Sequence, residues 1–94
     1  MTLDDIEATL LILIEQCGPL GMPEQELEEL RSLTRAREPG VALENLCVQL
    51  YEHDIAVPRD IAGTAETLAR EMELREFYWL LLARRRSDVE RERS

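Results

Sequence analysis

Two cysteines, one histidine and many carboxylates are the residues with which this chain could do chemistry. Cys17 and Cys47 both fall on the apolar side of helical repeats, so they read as buried free thiols that contribute packing. A disulfide between them would need a match of geometry that spacing alone does not supply. His53 stands at the end of a helical repeat, a place for a capping or solvent-exposed ring. No Ser or Cys stands in a nucleophile context, and Lys is absent. Neither CxxC, HExxH, a Gly-rich phosphate loop nor EF-hand spacing occurs. Glu28 and Glu29 are sequence neighbours and point in different directions on a helix, so they read as a solvated face rather than a metal-ligand pair. The expectation is a protein with no catalytic residues, no cofactor and no metal.

What remains is charge. The net charge of -9 on 94 residues disfavours direct nucleic-acid binding and favours encounter with a basic partner, beyond any service to solubility. The charge is uneven. Through Glu76 there are 17 acids against 6 arginines, and from Phe77 onward 3 acids against 5 arginines. The arginines show no spacing that marks a bidentate site. The acidic start Met1-Thr2-Leu3-Asp4-Asp5 lacks the basic region of a signal peptide. The longest apolar run, Leu10-Leu11-Ile12-Leu13-Ile14, is far below the ~20 residues that span a bilayer. A cytoplasmic protein without a membrane segment is expected.

The elements that must position these residues are helices. Leu dominates the apolar set, and no strand pattern or internal repeat occurs. The clearest helix follows Glu38-Pro39-Gly40: Ala42, Leu43, Leu46, Cys47, Leu50 and Tyr51 recur at i, i+3/i+4 and leave Glu44, Gln49, Glu52 and Asp54 largely outside the stripe. Pro39 suits a first helical turn, where its missing amide hydrogen is not needed. Before it, Thr2 and Asp5 form a capping-box pattern for a helix reaching about Gln16, with a face of Leu3, Ile6, Leu10, Leu13 and Ile14. Leu11 and Ile12 widen that face and predict burial on more than one side. Gly18-Pro19-Leu20-Gly21 ends this helix, Gly being suited to the left-handed stop.

Pro23 opens a second helix with Leu27, Leu30 and Leu33 (and Ala36) in its stripe, Glu24 and Glu26 early, and Arg31, Arg35 and Arg37 late. Ordinary helix electrostatics accounts for that order of charge. After the third helix, Ile55 and Val57 alternate in an extended link before Pro58. A fourth helix has Ile61, Ala65, Leu68, Ala69 and Met72 in its stripe, and Gly63 within it predicts close packing against a neighbour. Phe77-Tyr78-Trp79-Leu80-Leu81-Leu82-Ala83 reads as a short fifth helix that packs on the bundle or on a second copy. With Arg84-Arg85-Arg86 it could instead imitate a membrane-surface anchor, which the acidic body opposes. The fold expected is all-α, a small four- to five-helix bundle spanning residues 1–86, with residues 87–94 a charged, disordered tail.

The segment Glu38-Pro39-Gly40-Val41-Ala42-Leu43-Glu44-Asn45-Leu46, continuing through Asp54-Ile55-Ala56-Val57-Pro58, resembles the Maf-type immunity proteins. These are small cytoplasmic helical proteins that protect bacteria from polymorphic and contact-dependent toxins. The family pattern is E-P-G-x-A-L-E-x-L, then a helix end with D-[IV]-x-[IV], then a helix closing in a short aromatic-containing segment. Leu68-Ala69-Arg70-Glu71-Met72-Glu73-Leu74 with Tyr78-Trp79 fits the last part. The resemblance covers about residues 36–79; the first helix fits by position and type, and Leu80-Leu81-Leu82 with the Arg-rich tail goes beyond the pattern. It implies a protein that acts by binding and has no catalytic residues.

Charge and resemblance together predict an immunity protein that occludes the active site or substrate groove of a cognate toxin domain, a basic nuclease, with Glu24, Glu28, Glu29, Glu44, Glu52 and Asp54 as the toxin-binding acids. The alternative is a non-catalytic assembly or dimerisation module that docks through residues 77–82. Either would be a monomer or a weak homodimer.

Overall fold

A computed structural model describes residues 1–74, and among them it is all-α. Four α-helices follow in order: α1 Leu3–Cys17, α2 Glu24–Arg35, α3 Pro39–Glu52 and α4 Arg59–Glu71, with a 3-10 turn, Gly18–Leu20, between α1 and α2. The expected fifth helix, the docking role of residues 77–82 and the tail boundary lie outside the described residues.

Each helix starts by a device legible in the chain. The Thr2 hydroxyl accepts from the Asp5 amide at 3.1 Å, and the Asp5 carboxylate accepts from the Thr2 amide at 3.2 Å. These two bonds satisfy donors that a helix start leaves open, and the Thr2 amide first, then the Thr2 hydroxyl, hold the Asp5 carboxyl below its ordinary pKa. Pro23 and Pro58 stand immediately before α2 and α4, and Pro39 is the first residue of α3.

The helix ends also share one device. After each helical segment one residue turns left-handed: Gly21 (φ 111), Arg37 (φ 63), Asp54 (φ 62) and Glu73 (φ 55). The next amide bonds back across the last turn, from Met22 to the Cys17 carbonyl, Glu38 to Leu33, Ile55 to Leu50 and Leu74 to Ala69. This is the Schellman arrangement, and it occupies carbonyls that a helix end otherwise leaves without a donor. Three of the four left-handed residues are not glycine, a conformation that costs an L-residue about 1–2 kcal/mol. The left-handed stop after α1 is Gly21; Gly18 is right-handed and leads into the 3-10 turn.

The core is made of Leu10, Leu13, Ile14 and Cys17 from α1, Leu27 and Leu30 from α2, Ala42, Leu43, Leu46, Cys47 and Leu50 from α3, and Ala65, Leu68 and Ala69 from α4. Ile55 and Val57 tuck in from the extended link, as their alternation predicts. Met22, the residue after the left-handed Gly21, joins them. Helix α1 touches each of the other three, while α2 and α3 make the most extensive helix pair. Residues 36–38 connect α2 to α3, so the pair forms a hairpin of antiparallel neighbours.

Three expectations are corrected. Helix α1 is buried on one face only: Ile12 is 61% exposed and Leu11 half-buried. Among the described residues nothing lies within 4 Å of where a Cβ on Gly63 would stand, so close packing between them does not explain it. Ala36 is exposed, whereas Thr34 is fully buried, its hydroxyl donating to the Leu30 carbonyl at 2.8 Å. That bond lets a polar residue take a core position without an unmet hydrogen bond.

Candidate partner-binding surface

Glu24, Glu28 and Arg31 recur at i, i+4 and i+7, which places them along one side of α2. The end of α1 brings Glu15 to the same place. Arg31 Nε donates to Glu15 Oε1 at 2.6 Å and Nη2 to Glu15 Oε2 at 3.2 Å. Arg31 Nη1 donates to Glu24 Oε1 at 2.8 Å and to Glu28 Oε2 at 2.9 Å. The Glu15 contact is the two-pronged match of a planar guanidinium to a carboxylate. The Arg31 side chain is only 15% exposed, although its three acids reach water. Their hydrogen bonds hold its pKa above the ordinary arginine value, Glu15 contributing first. In return the Glu15 carboxyl lies below its usual range, through the bond from Arg31 and the nearby charges of Arg31 and Arg35. The arginines are therefore not placed without regard to a bidentate site: Arg31 occupies one.

This cluster sorts the candidate acids. Glu24 and Glu28 turn toward α1 and share one cation. Glu29 lies one 100° helical step beyond Glu28, is exposed, and has no ion pair among the described residues. On α3, Glu44 is half-buried at the core rim, close enough to Cys47 that its charge helps raise that thiol. Glu52 and Asp54 are both exposed at the end of α3, Asp54 as its left-handed residue. The contacts thus bring together Glu24 and Glu28, with Glu15 as a third acid that the sequence reading missed. The i, i+4, i+7 spacing on α2 was visible in the chain. The arrival of Glu15 was not, because it depends on how α1 crosses α2.

Both cysteines are free and buried. Burial pushes the Cys17 thiol up to about 11. Cys47 rises to about 12, through burial first and then the charges of Cys17 and Glu44. Such thiols are protonated at neutral pH and poor nucleophiles. Elsewhere, Arg70 pairs with Glu66 at 2.7 Å and Arg37 reaches Asp4 at 4.0 Å. The Met1 amine lies 3.9 Å from Glu71. A recess of about 500 Å³ beside the end of α4 is lined by Thr67, Arg70, Glu71 and Glu73. Among the described residues, no group of three or more His, Cys, Asp or Glu could hold a metal ion. No helix among them is long and apolar enough to cross a membrane.

The chain matches no protein-family model, no curated protein and no solved structure.

Proposed function

We propose that this chain is an immunity protein: it binds a cognate toxin domain with a basic substrate groove, such as a nuclease, and blocks that groove with its own carboxylates. One observation carries the reading. Among the described residues the only buried polar or charged side chain is Thr34, so the surplus of acids over arginines stands at the surface. An apolar helical core with a strongly negative exterior supports a role in meeting a positive surface. Its carboxylates would occupy the positions of substrate phosphates, and the field of the whole body would speed encounter. The resemblance of residues 36–79 to the Maf-type immunity proteins supports the same reading. Glu29, Glu44 and Glu52 on the α2–α3 hairpin are the leading contacts; Asp54 adds its charge just beyond α3, and Glu24 and Glu28 contribute through the field they retain beside Arg31.

The test starts from the neighbouring gene. It should encode a secreted protein with a variable C-terminal toxin domain. That domain, expressed alone, should arrest growth, and co-expression of this chain should restore it. The purified pair should form a stable complex whose association rate falls steeply as salt rises. Arrest that persists in the presence of this chain, together with no complex at low salt, would overturn the proposal.

A further inference from the structure

The hairpin of α2 and α3 has two sides of different electrostatic character. The arginines near it are drawn toward α1. Arg31 bonds Glu15, Arg37 reaches Asp4, and Arg35 lies close enough to Glu15 to lower its carboxyl. Helix α3 contains no Lys or Arg at all. The opposite flank of α2 from the Arg31 cluster carries Glu29 and the partly buried Leu33. On α3, Val41, Asn45, Val48 and Glu52 recur at i, i+4, i+7 and i+11, which sets them along one outward line. Val41 is 44% exposed, Asn45 and Glu52 are exposed, and Val48 is half-buried. The outward line of α3 therefore carries two valines together with Asn45 and Glu52, and Glu29 stands on the flank of α2 away from the Arg31 cluster. Of the arginines of α2, Arg31 is bonded on the side of α1 and Arg35 lies near Glu15 there.

We infer that this side of the hairpin is the docking face for a basic protein surface, with Val41 and Val48 as its apolar anchors and Glu29 and Glu52 as its charged rim. The inference rests on the proposed immunity function and locates the contact within it. Charge complementarity selects the occupant. A second copy would set the same carboxylates against each other in a chain of net charge -9, and like charges across an interface cost affinity. A cationic domain with a shallow apolar cleft would instead pair with the rim and desolvate the valines. Exposed apolar residues ringed by polar ones are how interfaces concentrate binding energy. The acids thus govern encounter and the valines govern residence.

The probe is the toxin domain encoded beside this gene, with binding measured by surface plasmon resonance against the full chain. Val41→Arg should weaken affinity about 100-fold, mainly through faster dissociation. Glu29→Arg with Glu52→Arg should slow association about tenfold and flatten its salt dependence. Ile12→Arg, an equal change on the exposed face of α1, should leave affinity within about twofold. Circular dichroism and thermal melts establish that each variant folds, and Asn45→Arg on the same line replaces Val41→Arg if that variant does not. Wild-type binding that survives Val41→Arg or Asn45→Arg unchanged overturns this inference and leaves the immunity function standing. No wild-type binding overturns both. Sedimentation showing a wild-type dimer that Val41→Arg dissolves assigns the face to a second copy and overturns the choice of occupant.

Discussion

At Cys47 a small thiol takes the place of an apolar residue, and its chemistry is suppressed by its surroundings. Burial, helped by Cys17 and Glu44, raises its pKa to about 12, and Cys17 sits at about 11. Both folded values exceed the ordinary 9.0, so the unfolded chain loses these protons first as pH rises. The thiols' contribution is complete below about pH 9 and is lost as pH climbs toward 11–12. Urea midpoints should therefore fall steeply above pH 9. Cys47→Ala should flatten that fall while lowering stability at pH 7 by about 1–2 kcal/mol through lost packing. Arg31 gives the opposite pH signature. Its bond depresses the Glu15 carboxyl, so that interaction is present above the ordinary value of 4.5 and is lost as pH falls through the folded value. Arg31→Gln should lower the urea midpoint at pH 7, and the gap to wild type should close as pH falls below the ordinary carboxylate value of 4.5. An NMR titration should show Glu15 moving up toward the ordinary carboxylate range in that variant.

The helices were the most legible part of the sequence, and their starts more so than their ends. Thr2 with Asp5, and Pro23, Pro39 and Pro58, mark beginnings by local chemistry that needs no tertiary partner. The ends were obscured because Arg37, Asp54 and Glu73 take the left-handed turn where glycine is the usual signal. Hydrophobic period located the buried faces of α3 and α4, but misjudged Ile12, since an apolar residue can remain on the solvent side at modest cost. It also gave Gly63 a packing role. With no described residue beside it and an exposed helical position, Gly63→Ala should stabilise the protein by up to about 1 kcal/mol, read as a higher thermal midpoint with binding unchanged. Close packing at Gly63 would instead make the alanine variant melt earlier.

On the scale of the whole molecule, the candidate acids were legible as a set and not as a surface. Sequence placed Glu24, Glu28 and Glu29 on α2 and Glu44, Glu52 and Asp54 on or beyond α3. That Glu24 and Glu28 share one cation was decided by the crossing of α1 and α2, through Glu15 and Arg31. Val41 and Val48 fall outside the apolar stripe read for α3, and the fold leaves Val41 exposed and Val48 half-buried. The left-handed turns have one more consequence, for motion. The amides of Glu38, Ile55 and Leu74 lie beyond the helices, yet each is bonded back to a carbonyl in the preceding last turn. Short connections between helices ordinarily exchange their amide hydrogens within the time of local fraying. Here deuterium uptake at Ile55, whose side chain is also buried, should be as slow as in the last turn of α3, and should quicken only when that helix itself opens. The link between α3 and α4 would then behave as a rigid strut, fixing the angle at which the two helices leave one another.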